Sequence, residues 1–369
     1  MFRLVLVLLV VASATPVLAG ERAGGRVDVY ADGDIVVVAP SAQLKVDASD
    51  AVQLNVGWMA NVLSGATPLL TADAVSSATT FEDVRHAFDV GVSGRLDALT
   101  LLRGSARFSL ESDYAVVTAS VGLERESQNR RAIFTASYAT LLDEAWTSLR
   151  EGTRQTSVTH RLDGGLSLLL TKTTRLRLGV SGLMHACEEL IGCQSNTYRY
   201  VAVRTLDSGD IALRETHPDR RARLATTLRL SQALGRYVAL HGGYRFYADN
   251  WAVLAHTADL AVHAGLAGER VLLRAEGRMT RQTTASFFQP SYTEEEEGLP
   301  RYRSADRELA GLWSWRVGGR VEWAALGLGP LLRASWNLRA YHTWYRYPTL
   351  DPSLKRNAWV LGGGFDAEW

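Results

Sequence analysis

Cysteine and lysine are scarce in this sequence, and long apolar runs are absent after the first twenty residues. Two cysteines in 369 residues, Cys187 and Cys193, exclude a disulfide-dense scaffold. Both lie in one polar segment with only His185 and two glutamates close by, which is short of ligands for zinc. In an exported chain the expected state is a local disulfide closing a small loop; no metal or cofactor is expected. Lysine occurs only at Lys45, Lys172 and Lys355, so basic charge is carried by arginine, as the codon bias of a GC-rich genome produces. With 40 basic against 39 acidic residues the chain is no general polyanion binder, and a nucleic-acid partner is not expected. An apolar fraction of 47% at near-zero net charge excludes intrinsic disorder. The missing long runs exclude a bundle of membrane-spanning helices.

What is present begins with an address. Met1-Phe2-Arg3 is a basic start, Leu4 to Val11 is apolar throughout, and Val17-Leu18-Ala19 places small residues before Gly20. This is the pattern of a secretory signal peptide over residues 1–19, leaving 20–369 as one mature domain. A membrane anchor would need a longer run than one interrupted by Ser13, Thr15 and Pro16. No cysteine follows the cleavage point, so a lipoprotein is not expected.

The mature chain reads with period two. Ala115, Val117, Ala119, Val121 and Leu123 alternate with Tyr114, Thr118, Ser120, Gly122 and Glu124. Leu162, Leu166, Leu168 and Leu170 oppose Thr159, Arg161, Asp163 and Ser167; Leu224, Leu228 and Leu230 oppose Arg221, Arg223, Thr227 and Arg229. Such runs predict long strands with one apolar and one polar face. A soluble sandwich uses strands of about five or six residues, an outer-membrane barrel strands of about ten with the apolar face turned to lipid. Length favours the barrel.

Connections support this. Short turns are expected near Asp47–Asp50, Gly94–Asp97, Glu126–Arg130, Thr171–Thr174, Gln232–Arg236, Leu266–Glu269 and Ala324–Gly327. Longer ones lie at Ser64–Phe81, Leu141–Arg154, Ala186–Asp219, Gln282–Tyr302 and Tyr347–Leu354, which is the alternation of periplasmic turns and outer loops. Starting near Gly25, about sixteen strands of an all-β, up-and-down antiparallel transmembrane barrel result, uncertain by two. The two turn on Tyr198–Leu206 and Ile211–Thr216, either barrel strands or a hairpin in the longest excursion. The chain ends on Trp369, with Phe365 and Ala367 on the same side of the last strand, a terminal signal of the kind read by the barrel assembly machinery. Trp323 and Trp369 are expected near the periplasmic rim and Trp344 and Trp359 near the outer rim, as an aromatic girdle. Trp313 and Trp315 fall nearer mid-strand in this phasing.

Several segments resemble an uncharacterised family of bacterial outer-membrane β-barrels, a domain of unknown function. They are Ser64–Pro68 (Ser-Gly-Ala-Thr-Pro), Asp73–Thr79, Phe81–Arg85, Glu111–Tyr114, Gly243–Tyr247 with Trp251 and His256-Thr257, and Tyr302–Arg307. Where other members are richer in aromatic residues, this chain has Arg278-Met-Thr-Arg281 and Phe287-Phe288. The resemblance implies a Gram-negative outer-membrane barrel, with no assigned activity, and adds an exported protein to the candidate partners beside lipid, lipopolysaccharide and the assembly machinery.

Sites of chemistry are few. Asp259 and His263 share a strand face, as do His241 and Arg245, but four residues along a strand span about 13 Å, too far for a hydrogen bond. No catalytic residue is therefore expected. His256 falls on the apolar side, a girdle or structural position. Asp32-Gly-Asp34 reads as a tight turn, not a calcium loop, since Val36 and Val38 occupy the next ligand positions. Gly362-Gly-Gly364 lacks the lysine of a phosphate loop and reads as a strand whose small residues allow close packing. Glu294–Glu297 reads as a solvated charge run, with a divalent-cation role at the lipopolysaccharide surface as the sharper alternative.

The face opposite the apolar one is rich in arginine. Pore-lining candidates are Arg85, Arg103, Arg107, Arg223, Arg229, Arg245, Arg274, Arg278, Arg316, Arg320 and Arg339, with Arg161, Arg175, Arg177, Arg221 and Arg333 on the same phase. Acids on that face are fewer: Asp89, Glu111, Glu124, Asp163, Asp259, Glu276, Glu308, Glu322, Asp366 and Glu368. Two readings stay open: a salt-bridge ladder bracing the wall, or a passage favouring small anionic or polar solutes. The porin-like channel leads; a non-conducting barrel that scaffolds an exported partner is the alternative.

Overall fold

The computed structural model describes residues 21–33, 35–66, 80–112, 114–146, 154–187, 200–205, 209–268, 270–294, 298–328 and 331–369. Among these, sixteen strands close into one antiparallel barrel. The wall begins with β1 (Arg22–Ala31), β2 (Ile35–Ser49), β3 (Val52–Ala66), β4 (Thr80–Arg95) and β5 (Thr100–Leu110). It continues with β6 (Tyr114–Glu126), β7 (Ala132–Trp146), β8 (Arg154–Leu169) and β9 (Thr174–Cys187). Two short strands, β10 (Tyr200–Thr205) and β11 (Gly209–Arg214), leave it. The wall resumes with β12 (Arg220–Ala233), β13 (Val238–Asp249), β14 (Leu254–Leu266) and β15 (Val271–Gln282). Outside it lies β16 (Tyr292–Thr293); β17 (Leu312–Leu328), β18 (Leu331–Tyr347) and β19 (Asp351–Glu368) complete the circuit. The expected count of about sixteen holds, and the segments in doubt form a hairpin: β11, β10 and β16 make a separate three-stranded sheet.

The start of β1, the end of β19 and the short turns share one end, the periplasmic one by the usual arrangement of such barrels. Local chemistry fixes these turns. Asp97 accepts from the Leu99 amide at 2.7 Å and from the Thr100 hydroxyl at 2.9 Å. Those two bonds hold its carboxyl below the usual carboxylate range, so their stabilising effect is present above about pH 3.8 and is lost as pH falls through the lower folded-state value. Two expected connections move. The turn placed at Ala324–Gly327 lies beyond Leu328, because the alternation of β17 runs on through it. Tyr347–Leu354 is not a long loop: β18 ends at Tyr347 and β19 begins at Asp351. At the outer end, Gly33 takes a left-handed φ of 54° while Asp32 accepts from the Ile35 amide at 3.1 Å, a tight turn as expected; Asp34 lies outside the described residues.

Among the described residues the wall has no internal apolar core. Leu178, Leu228 and Tyr244 align on neighbouring strands and are 41%, 45% and 43% exposed, on the outside. Their neighbours Arg177 and Arg229 turn inward. Forty-odd per cent exposure of a leucine belt is costly in water and favourable in lipid, so the bilayer is the solvent of this face. The chain is an outer-membrane β-barrel. Clusters of buried apolar side chains lie instead at the outer end. Trp251, Val253, Phe288, Leu309 and Tyr347 form one cluster, and Val201, Val203, Tyr292 and Ala305 another. The two longest outer excursions thus fold on each other: Thr216 pairs with Arg303, and the Ala305 amide donates to Glu215 at 3.1 Å. Tyr292 receives the Ser304 amide at 2.7 Å and donates to the Phe287 carbonyl at 2.7 Å.

β1 and β19 close the barrel in register from Arg22↔Glu368 to Ala31↔Trp359. Trp369 caps the seam, its amide donating to the Glu21 carbonyl at 3.2 Å and its indole N–H to the Glu21 carboxylate at 2.8 Å. Arg339 of β18 reaches across β19 to Asp28 of β1, donating from Nε at 2.8 Å. It passes over Gly362, where a Cβ would collide with Asp28 Oδ1 and sit 2.8 Å from Arg339 Nε. Gly362 serves that crossing.

Candidate functional site: the arginine-lined lumen

Alternation places every expected pore-lining arginine on the inner face, and the register decides which of them meet an acid. Arg85 contacts Glu111 at 3.2 Å and donates to Ser109 at 2.6 Å; Arg103 meets Glu124 at 3.0 Å and Arg107 meets Asp89 at 3.3 Å. Arg274 and Arg316 both grip Glu276, the latter at 2.7 Å. Arg320 meets Glu322 at 2.7 Å, Arg333 reaches the same carboxylate at 3.9 Å, and Arg161 binds Asp163 at 2.8 Å. Arg278 stands 4.0 Å from Asp259. Arg221 binds Asp249 at 2.6 Å with its guanidinium 4.1 Å from the Trp251 ring centre. Most of these pairs link different strands, so they brace the wall.

Five of the expected inward arginines differ. Among the described residues Arg175, Arg177, Arg223, Arg229 and Arg245 contact no carboxylate, Arg175 donating instead to the Ser167 hydroxyl at 2.8 Å. Arg177 of β9 and Arg229 of β12 stand directly opposite each other, an arrangement of like charges that is unfavourable across strands. The same row continues through Gly243, Asp259, Arg278 and Arg316. A Cβ at Gly243 would lie 2.6 Å from an Asp259 carboxylate oxygen, so the glycine lets that carboxylate lean over β13. Four arginines and one aspartate therefore share one hydrogen-bonded row. Beside it lies a recess of about 630 Å³ lined by Arg161, Arg229, Arg245, Arg278 and the hydroxyls of Thr227 and Thr257. A smaller recess of about 220 Å³ shares Arg245 and Thr257 with it and adds Arg221, Tyr247, Gln282 and Glu308. The two recesses adjoin at Arg245 and Thr257. Their donors suit an anion with several oxygen acceptors.

Two expected acids sit elsewhere than on strands. Glu111 follows β5, and Glu308 belongs to a 3-10 turn, Arg307–Leu309, folded to the mouth. Sequence reading missed Arg26 and Asp28 on the inner face of β1, although both alternate with Val27 and Val29. It also missed cross-strand histidine contacts. Ser231 Oγ lies 2.8 Å from His241 Nδ1, and the His241 and His263 rings are 4.4 Å apart, but among the described residues no carboxylate orients His241. A serine–histidine contact without that third group is not a hydrolytic triad. Glu294 spends its amide on the Arg204 carbonyl at 2.8 Å; 295–297 lie outside the described residues.

The outer face carries the aromatic girdle. His256 is on it, 2.6 Å from the Tyr244 hydroxyl; His160 pairs likewise with Tyr138 at 2.7 Å, and His342 stacks on Trp359 at 4.1 Å. Trp323 stacks with Trp336 at the periplasmic end. Trp313 and Trp315 are not mid-strand: β17 starts at Leu312, which sets them at the outer rim, where Trp315 pairs with Trp344. Both ends of β17 thus differ from the expected phasing. Cys187, last in β9, is disulfide-bonded; Cys193 lies outside the described residues.

The fold is similar to CdiB from Acinetobacter baumannii, with a TM-score of 0.53 and 8% identity over 95% of this chain and 60% of that one. The outer membrane protein opdK from Pseudomonas aeruginosa aligns with a TM-score of 0.46 and 9% identity over 95% and 99% of the two chains. The siderophore receptor PirA from the same organism aligns at 0.42 and 12% over 96% and 81%. No curated protein matches the sequence. The family model described as "Protein of unknown function (DUF3570)" matches residues 141–327, just over half of the 369. Those residues run from β7 into β17 and include Arg177, Arg229 and Arg245 with the recess beside them; the chain belongs to this family.

Proposed function

We propose that the barrel passes small anionic or polar solutes, with Arg177, Arg229 and Arg245 as the anion-attracting group. The observation that carries this reading is their lack of carboxylate partners among the described residues, beside a recess in a lumen where most other arginines are paired. Fixed positive charge without a local counter-charge lowers the entry barrier for an anion. Reversal potentials across planar bilayers test it: chloride should permeate better than potassium, and Arg177→Gln, Arg229→Gln and Arg245→Gln together should remove that preference. A conducting barrel that prefers cations would overturn the assignment.

The alternative reading, a non-conducting scaffold for an exported partner, draws support from the cross-strand ion pairs and from outer loops with apolar cores of their own. Folded protein without conductance would favour it. In either case we propose that residues 1–19 are a cleaved signal peptide, that the assembly machinery reads Phe365 and Trp369, and that no catalytic residue is present. Cys193, the other cysteine of the sequence, is proposed as the partner of Cys187. Thiol titration of the unreduced protein should find no free thiol, and two reactive thiols would refute the pair.

A further inference from the structure

Positive charge also occurs on the outside of the barrel, where lipid is the neighbour. One hydrogen-bonded row at the outer end runs His256↔Arg281↔Trp313↔Arg346↔Lys355 across β14, β15, β17, β18 and β19. Alternation puts this row on the same face as Met279, Trp315, Trp344 and Trp359. Arg281 holds its guanidinium 4.9 Å from the Trp313 ring centre, and Arg346 lies 5.9 Å from that of Trp315. Among the described residues neither arginine nor Lys355 contacts a carboxylate. The acid at the start of β19, Asp351, is engaged by Ser353, which donates from its amide at 2.8 Å and its hydroxyl at 2.7 Å. The next row toward the membrane is aromatic and apolar from Tyr244 through Met279 and Trp315 to Trp344, and ends on Asn357.

Cations on a lipid-facing surface are costly within the hydrocarbon and tolerated at the interface, so a row directly above an aromatic belt marks headgroup level. Arg346 and Lys355 are directly opposed and Arg281 is separated from them by a single tryptophan, so they repel one another and need an anion from outside the chain. We propose that Arg281, Arg346 and Lys355 bind the phosphorylated headgroup of an outer-leaflet lipid, the phosphates of lipopolysaccharide, with its acyl chains along Met279, Trp315 and Trp344. Guanidinium forks match phosphate oxygens bidentately, and the indoles fix the arginines over the interface.

The test uses the full mature barrel in detergent, with bisphosphorylated lipid A, the same lipid with its phosphates removed, and inorganic phosphate as probes. Intact-complex mass spectrometry should show preference for the phosphorylated lipid. Arg281→Gln, Arg346→Gln and Lys355→Gln together should reduce its binding by roughly fivefold per charge, about a hundredfold in all, while leaving dephosphorylated lipid unaffected. Should the triple variant not fold, as judged by heat-modifiable migration, Lys355→Gln alone should still show its share of the loss. Unchanged binding of phosphorylated lipid by a folded variant would overturn the proposal. So would inorganic phosphate binding as tightly as the lipid, which would indicate a free-anion site.

Discussion

At the scale of the residue, the decisive variable is which way a side chain points from the wall. Leu228 faces lipid, whereas Ser137 of β7 faces the lumen with its hydroxyl 3.4 Å from Asp163. Leu228→Arg places an unpaired charge in hydrocarbon and should cost roughly 2–4 kcal/mol if the site is near midplane. Ser137→Arg gains Asp163 as a partner in a solvated lumen and should cost less than about 1 kcal/mol. Urea unfolding in lipid vesicles compares the two, and equal penalties would mean that the faces are inverted. Leucines, valines and phenylalanines on one phase make this orientation legible in the sequence itself. Whether a given arginine is paired is not legible there, because Arg316 finds Glu276 forty residues away and Arg339 finds Asp28 on the other side of the sequence.

At the scale of the element, β19 does two tasks. It donates its edge to β1, and it lets the Arg339–Asp28 pair cross over Gly362. An unclosed β19 would leave a row of backbone groups without partners in lipid, where each costs several kcal/mol. Trp369 extends this seam by its two hydrogen bonds to Glu21. Deleting Trp369, or Trp369→Asp, should therefore lower the amount of heat-modifiable barrel in the outer membrane severalfold. Undiminished assembled protein would count against a terminal signal. The amphipathic pattern of β19 and its final aromatic are local properties that the sequence displays. The end of β17 departs from its local pattern because Gly327 and the small residues before it imitate a turn, while the pairing Leu328↔Leu331 carries the ladder past them.

At the scale of the whole molecule, lumen charge and outer loops act together. The arginines without carboxylate contacts among the described residues are concentrated on β9, β12 and β13, beneath the excursion that links β9 to β12 and beside the loop that supplies Glu308. The recess that holds Glu308 is lined by Arg221 and Arg245, and the one beside it by Arg229, Arg245 and Arg278. The anion preference proposed above is an effect of this summed field and should weaken with salt. It should be largest at 0.01 M, where the Debye length is about 30 Å, and smaller at 1 M, where it is about 3 Å. A selectivity indifferent to salt over that range would point to a steric filter instead.

The sequence alone determined the architecture, because a period-two pattern over a dozen residues has one membrane-compatible solution, and repeating it about sixteen times leaves only a closed barrel. It also determined the two faces, a property of neighbouring residues. Tertiary structure alone decided the rest. The partners of the lumen arginines depend on register between strands, which shifts every side chain's neighbour when it moves by one residue. The association of the β10–β11 hairpin with the 283–311 loop depends on contacts across some ninety residues, as from Ala305 to Glu215. The cationic row of Arg281, Arg346 and Lys355 comes from three strands whose alignment no local pattern records, so charges scattered along the sequence become one surface only when the barrel closes.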